Sequence, residues 1–69
     1  MQNKNNLKYF RKKNNMTQFE LAKKLGVSPR YIAFLEAGER LPSLSLALKM
    51  EDILGVNLNR IFIIKEHVY

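Results

Sequence analysis

The chain has no cysteine and no tryptophan, and its 69 residues include one histidine and one aspartate. Without cysteine, neither disulfide bonds nor thiolate metal sites are available. The histidine, His67, lies near a terminus and Asp52 is the single aspartate, and we find no Ser-His-Asp set, metal-ligand cluster or glycine-rich phosphate loop in the sequence. The sequence therefore predicts a protein that is not an enzyme and that uses no metal and no cofactor.

Long apolar runs are also missing. No segment approaches the roughly 20 apolar residues of a membrane span, and the first ten residues, MQNKNNLKYF, lack the apolar core of a secretion signal. We expect a cytoplasmic protein with no membrane partner and no small-molecule ligand. The 69 residues are enough for one small domain, residues 1–69, with a modest core.

Acidic residues are scarce relative to basic ones. Six Asp and Glu stand against twelve Lys and Arg, which gives a formal net charge of +6. Residues 1–40 hold nine basic and three acidic residues, whereas residues 41–69 hold three of each. A positive surface of this kind binds phosphates by releasing counterions, although a basic face can also serve solubility alone. The imbalance favours a nucleic acid partner for the first 40 residues.

Residues 17–38 predict two short helices joined by a tight turn. Thr17 and Glu20 have the spacing of a capping box at the start of the first helix. Gly26 suits its end, and Ser28 followed by Pro29 suits the start of the second. Gly38 follows the second segment and suits the end of its helix. Apolar residues recur at helical spacing in both segments: Leu21, Ala22, Leu25, Ile32 and Leu35. This is the pattern of a helix-turn-helix, which places its second helix in the major groove of DNA.

Three further helices complete an all-α prediction of five helices. The first covers residues 4–14, with Leu7 and Phe10 facing inward and Tyr9 as a further candidate. The fourth runs from Pro42 to Leu54, and a short fifth lies around residues 58–62. The expected buried face of the fourth helix consists of Leu44, Ala47, Leu48 and Leu54. Glu51 continues that face, and because an unpaired buried carboxylate is costly, it either turns to the rim or meets a cation.

These motifs together resemble the Xre/Cro family of phage-repressor-type DNA-binding proteins, in particular its short stand-alone regulators. The resemblance covers residues 7–62 and rests on Leu7-x-x-x-Arg11, Thr17-Gln18-x-x-Leu21-Ala22-x-x-Leu25-Gly26-Val27-Ser28, Ile32-x-x-x-Glu36-x-Gly38, Pro42-Ser43-Leu44, Leu54-Gly55-Val56 and Leu58-x-x-Ile61-Phe62. It implies a repressor-like bundle that binds double-stranded DNA and associates with the nucleoid. The implied function is transcriptional regulation, most simply repression by a dimer on a palindromic operator.

The resemblance also implies roles for individual residues. Gln18 would grip the DNA backbone and Arg40 would hold a phosphate. Arg30 would either read a guanine through its two parallel donors or clamp a phosphate. Phe34 either presses against thymine methyl groups or folds onto the domain, and Tyr31 either donates to a phosphate or packs against the second helix. The full set of expected DNA-binding residues is Gln18, Ser28, Pro29, Arg30, Tyr31, Ala33, Phe34 and Arg40. A structural ion pair is implied between Arg11 and Glu36.

The carboxyl-terminal segment, residues 62–69, predicts a strand rather than a helix, because β-branched residues are frequent in it. An isolated strand leaves its hydrogen-bonding edge open, and pairing with a second copy would close that edge around a two-fold axis. We therefore expect a homodimer, with Phe62, Ile63, Ile64 and Val68 as dimerisation residues. The alternative is that Ile63 and Ile64 cap the core of their own chain.

A second class of function also fits the fold. Antitoxins and other protein-interaction modules can keep a helix-turn-helix domain while binding a protein partner. Loss of basic and polar residues from the second helix of the motif would favour that alternative. Because this chain keeps Gln18, Arg30 and Arg40, the sequence favours DNA binding.

Overall fold

The computed structural model describes residues 5–62, and these residues form a bundle of five helices. The helices are α1 (Leu7–Lys13), α2 (Gln18–Leu25), α3 (Pro29–Glu36), α4 (Leu44–Leu54) and α5 (Leu58–Ile61). The predicted all-α architecture with a central helix-turn-helix, formed by α2 and α3, is confirmed. Within the described residues no helix has the length and apolar character needed to cross a membrane.

The start of α2 is fixed by the predicted capping box. The Glu20 N–H donates to the Thr17 hydroxyl at 3.0 Å, and the Thr17 N–H donates to the Glu20 carboxylate at 2.8 Å. The Thr17 backbone N–H, followed by the Thr17 hydroxyl, holds the pKa of Glu20 below its ordinary value. Two of the free N–H groups at the helix start are satisfied in this way.

Serine side chains begin the next two long helices. The Ser28 hydroxyl accepts from the Tyr31 N–H at 3.1 Å, with Pro29 at the first helical position. The Ser43 hydroxyl accepts from the Leu46 N–H at 3.3 Å. Both caps satisfy one backbone donor of the first turn, so the starts of α3 and α4 are encoded locally.

Gly26 ends α2 in the left-handed conformation, with a φ of 74°. The Gly26 N–H donates to the Lys23 carbonyl at 3.3 Å, and the Val27 N–H donates to the Ala22 carbonyl at 3.0 Å. This pair of bonds is a Schellman motif, which reverses the chain in few residues. The turn between α2 and α3 is short because this motif is followed directly by the Ser28 cap.

The core lies between all five helices. Among residues 5–62 it contains twelve buried apolar side chains: Leu7, Phe10, Leu21, Ala22, Leu25, Ile32, Leu35, Ala47, Met50, Leu54, Ile61 and Phe62. The inward residues predicted for the helix-turn-helix are all in this set. Burial of apolar surface is the main favourable term for so small a domain, so these side chains set the position of α3.

The prediction for the inward face of α4 was wrong at two positions. Leu44 is 71% exposed and Leu48 is 53% exposed, whereas Met50 is fully buried. Apolar residues surround much of α4, so helical periodicity does not determine its rotation about its own axis. In the folded chain, Met50 fills the centre of the core and turns Leu44 and Leu48 outward. Tyr9, the further candidate on α1, is also exposed, at 59%.

Glu51 follows neither predicted alternative. Its carboxylate is half-buried and accepts a hydrogen bond from the Leu58 N–H at 2.6 Å. Leu58 is the first residue of α5, whose preceding Asn57 makes no side-chain cap. A carboxylate at a helix start satisfies a free donor and interacts favourably with the helix dipole. Glu51 therefore joins α4 to the start of α5.

The two ends of the described chain meet next to the last turn of α3. Asn5 and Phe62 form an isolated antiparallel bridge, and the Asn5 amide donates to the Leu35 carbonyl at 2.8 Å. Phe62, predicted as a dimerisation residue, instead has its side chain in the core of its own chain, with 4% exposed. The other predicted dimerisation residues, Ile63, Ile64 and Val68, lie outside the described residues.

A buried ion pair joins α1 to α3. The Arg11 Nε donates to one Glu36 carboxylate oxygen at 2.6 Å, and the Arg11 Nη2 donates to the other at 3.3 Å. The Arg11 Nη1 donates to the Met16 carbonyl at 2.8 Å, and the Gln18 amide donates to Glu36 at 3.0 Å. The two charged side chains are 8% and 6% exposed. The donors around the carboxylate offset the cost of burying it.

Replacement of Gly26 by alanine tests the local encoding of the turn. A Cβ at Gly26 would meet no atom within 4 Å, so the φ of 74° is the source of strain. We expect Gly26→Ala to lower the free energy of unfolding by about 1 kcal/mol, as measured by urea denaturation. Gly26→Asn is the control, and its loss should be smaller because asparagine tolerates this conformation. Equal losses for the two variants would contradict the assignment of the strain to φ.

Removal of Arg11 alone should be far more damaging than removal of the whole pair. In Arg11→Met the Glu36 carboxylate stays buried without its cation, and we expect a loss of about 3 kcal/mol or more. In the double variant Arg11→Met/Glu36→Leu no charge is left behind, so part of that stability should return. Thermal unfolding followed by circular dichroism measures both. A double variant less stable than Arg11→Met would contradict this reasoning, because it would show that the Glu36 carboxylate stabilises the fold even without Arg11, through its hydrogen bond from Gln18.

Candidate nucleic-acid interface

The exposed face of α3 carries four of the predicted DNA-binding residues. α3 buries Ile32 and Leu35 in the core, and the opposite arc of the helix bears Pro29, Arg30, Ala33 and Phe34. Pro29 and Arg30 are exposed, whereas Ala33 and Phe34 are half-buried. The helical repeat places these four side chains on one continuous surface.

The Phe34 ring lies close to two arginines that are predicted to bind DNA. The guanidinium carbon of Arg30 lies 5.5 Å from the centroid of the Phe34 ring, and that of Arg40 lies 5.7 Å from it. Both distances are in the range of cation–π attraction. Arg30 comes from the first turn of α3 and Arg40 from the loop after it, so the ring connects two separate segments. Support of two guanidinium groups is a role for Phe34 that the sequence alone did not suggest.

The two arginines remain available to an anion. Among residues 5–62 neither guanidinium takes part in an ion pair, because the ion pair present there joins Arg11 to Glu36. A ring occupies the face of a guanidinium and leaves its N–H edge free to donate. The arrangement therefore presents two cations close together on the outer face of α3.

Gln18 is held by the buried network rather than free on the surface. It is the first residue of α2 and half-buried, and its amide nitrogen donates to Glu36 at 3.0 Å. The same carboxylate receives Arg11. Because Glu36 is the last residue of α3, this contact fixes the start of α2 against the end of α3. If Gln18 contacts DNA as predicted, it does so with a side chain that its hydrogen bond to Glu36 already holds in place.

An open cleft lies between the starts of α3 and α4. Its lining is formed by Val27, Ser28, Tyr31, Ser43, Ser45, Leu46 and Lys49. Ser28 and Ser43 cap the two helices, so the first-turn N–H groups of both helices lie near the cleft. Helix starts attract anions through these donors and the helix dipole. Tyr31 is half-buried here and packs against the core.

Sequence reasoning missed the contribution of α4 to this cleft. Ser45 and Lys49 belong to the half of the chain in which basic and acidic residues balance, so charge counting gave no reason to select them. Their proximity to Ser28 depends on how α4 crosses α3. The sequence contains a partial signal, because Ser45 and Lys49 are four residues apart and residues at that spacing share one face of a helix.

Comparison with known proteins places the whole arrangement in one family. A family model described as helix-turn-helix matches residues 7–61. An uncharacterised HTH-type transcriptional regulator of Methanocaldococcus jannaschii is 49% identical over 63 residues, which cover 91% of this chain and 96% of the relative.

Two solved structures are similar to the fold. The clp gene regulator ClgR from C. glutamicum has a TM-score of 0.66 and 35% identity, covering 75% of this chain and 68% of the other. The restriction-modification controller protein C.AhdI from Aeromonas hydrophila has a TM-score of 0.69 and 28% identity, covering 78% of each chain. The chain therefore belongs to the Xre-like helix-turn-helix family, which consists of DNA-binding transcriptional regulators and not of enzymes.

Proposed function

We propose that this protein binds a specific double-stranded DNA sequence through α3 and acts as a transcriptional repressor, as a dimer on a palindromic operator. The observation that carries the proposal is the surface formed by Arg30, Phe34 and Arg40, where two guanidinium groups without an ion-pair partner among residues 5–62 lie against one ring of the second helix of the motif. In this motif the second helix enters the major groove, with its first residues next to the bases.

Arg30 is the proposed base reader. It lies in the first turn of α3, is exposed, and has its orientation restricted by Phe34. A guanidinium can donate two parallel hydrogen bonds to O6 and N7 of guanine. Pro29 and Ala33 flank Arg30 on the same arc and can offer apolar contact to thymine methyl groups. This combination would favour a half-site with a guanine next to thymines.

Phosphate contacts would fix the register of α3 in the groove. Arg40 is suited to this role because it stands outside the helix, in the loop that follows it. The cleft between α3 and α4 would take a second phosphate from the same strand, with Ser28, Ser43 and Lys49 as donors. Gln18 would add a contact from the start of α2. These contacts position the protein and carry no sequence information themselves.

Dimerisation is proposed through the segment that begins at Phe62. The Phe62 side chain is used in its own core, so Ile63, Ile64 and Val68 would supply the contacts between subunits. Two copies related by a two-fold axis would place two α3 helices on successive major grooves, about 10 bp apart. Repression follows most simply from occupation of a site that polymerase needs.

Selection of the purified protein against a random duplex pool at near-physiological salt tests the proposal. We expect an enriched inverted repeat with half-sites about 10 bp apart, and a dimer in sedimentation at tens of micromolar. Recovery of unrelated duplexes without a common motif would contradict specific recognition. An enriched single half-site together with a monomer in sedimentation would contradict the dimer alone.

Alanine substitutions at the two arginines that share the Phe34 ring form a matched pair. We expect Arg30→Ala to cost about 1–3 kcal/mol on the selected site and to relax the preference at one base position. Arg40→Ala should weaken binding to all sequences alike and reduce the slope of log K against log salt by about 1. Both side chains are exposed, so folding should be unchanged. Equal losses on every sequence for both variants would rule out base reading by Arg30.

A further inference from the structure

We propose that a second surface of this protein, on α1 and α5, binds the phosphate backbone of another DNA duplex, so that the protein bridges two duplexes. We name it the α1–α5 surface and define it by Lys8, Tyr9, Lys12, Lys13 and Arg60. This interaction goes beyond operator binding by α3 and does not depend on base recognition.

The α1–α5 surface concentrates positive charge, and the acidic residues nearest to it are Glu51 and Asp52 of α4, which line one cleft with Arg60. All four of its cations, Lys8, Lys12, Lys13 and Arg60, are exposed, and neither α1 nor α5 contains an acidic residue. By comparison, the surface around α3 and the adjoining cleft has three exposed cations, Arg30, Arg40 and Lys49. Much of the charge that suggests a nucleic acid partner therefore lies away from the recognition helix.

A row of rings and cations gives this surface a defined shape. The Lys13 ammonium lies 5.8 Å from the Tyr9 ring centroid, and the Arg60 guanidinium carbon lies 5.5 Å from the Phe10 ring centroid. The two rings meet edge to face, with their centroids 5.0 Å apart. The row runs from Lys13 through both rings to Arg60, so two cations on separate helices are held by one aromatic pair.

Backbone contacts keep the two helices of this surface together. The Asn6 amide donates to the Arg60 carbonyl at 3.0 Å, and the Asn6 N–H donates to the Ile61 carbonyl at 2.6 Å. Asn6 immediately precedes α1, so the start of α1 is tied to the end of α5. Arg60 cannot move away from α1 without breaking these bonds, and the surface behaves as one unit.

The α1–α5 surface and the exposed face of α3 point in different directions. The buried side of α1 carries Leu7, Phe10 and Arg11, and Arg11 reaches Glu36 of α3. At 100° per residue, Lys8, Tyr9, Lys12 and Lys13 occupy the opposite arc of α1. A duplex seated on the outer face of α3 therefore leaves these side chains free for a second duplex.

The chemistry of the surface suits a phosphate backbone better than a folded protein. A protein interface needs an apolar centre with few charges, whereas the exposed ring here, Tyr9, lies beside Lys13. Duplex DNA presents one negative charge for about every 1.7 Å of its axis. Lys8 and Lys12 lie one turn apart on the same helix, about 6 Å along its axis, and can contact a continuous row of such charges.

A capture assay tests bridging directly. A biotinylated duplex of scrambled sequence is bound to beads, and a fluorescent duplex of the same sequence is added with the protein between about 50 and 200 mM salt. We expect the wild-type chain to retain the fluorescent duplex. Lys8→Gln/Lys12→Gln should lose most of that capture while still binding one duplex. For the second duplex, the slope of log K against log salt should fall by about 2, one for each lost phosphate contact.

The matched control removes two charges elsewhere. Lys23 and Lys24 are exposed on α2, and Lys23→Gln/Lys24→Gln should bridge as the wild type does. Circular dichroism checks that each variant is folded. Equal capture by wild type and Lys8→Gln/Lys12→Gln, or no capture by the wild type at the lowest salt, would overturn the proposal.

A further variant separates this proposal from operator binding. Arg30→Gln/Arg40→Gln should also lose bridging but keep binding to one duplex through the α1–α5 surface. If this variant bridges as the wild type does while Lys8→Gln/Lys12→Gln does not, the proposed role of α3 fails and the α1–α5 surface stands.

Discussion

The apolar core sets the position of α3, and its orientation depends in addition on a single buried carboxylate. Glu36 ends α3 and accepts hydrogen bonds from Arg11 of α1 and Gln18 of α2, so three helices meet at one side chain. An apolar core alone would allow α3 to rotate or slide by small amounts, because dispersion contacts have little directionality. Hydrogen bonds to a carboxylate fix both distance and angle. The outer face of α3 can therefore be presented in one orientation.

Local features of this fold are readable from the sequence, because the atoms that determine them are neighbours in the chain. The Thr17–Glu20 box, the Ser28 cap and the left-handed Gly26 each depend on contacts between residues at most five apart in the chain. The inward residues of α2 and α3 follow from a clear periodicity. For these helices, local preference and tertiary packing agree, as expected of a small domain that folds to one structure.

Features that depend on packing between distant segments were not readable in the same way. The rotation of α4 was misjudged at Leu44 and Leu48, since apolar residues surround the helix and Met50 takes the core position. The partner of Glu51 is a backbone donor seven residues away, in another helix. The candidate site shows the same division. The sequence predicts Arg30 and Arg40 separately. Their common contact with Phe34 depends on the path of the loop that carries Arg40, and that path is not evident from the sequence.

The bridge between Asn5 and Phe62 closes the described chain on itself behind the recognition helix. Asn5 also donates to the carbonyl of Leu35 in the last turn of α3, so both ends of the described bundle are joined to α3. A load applied at either end is thus transmitted to α3 through one or two hydrogen bonds. A displacement of Asn5 or Phe62 therefore bears on the last turn of α3 as well as on α1 and α5.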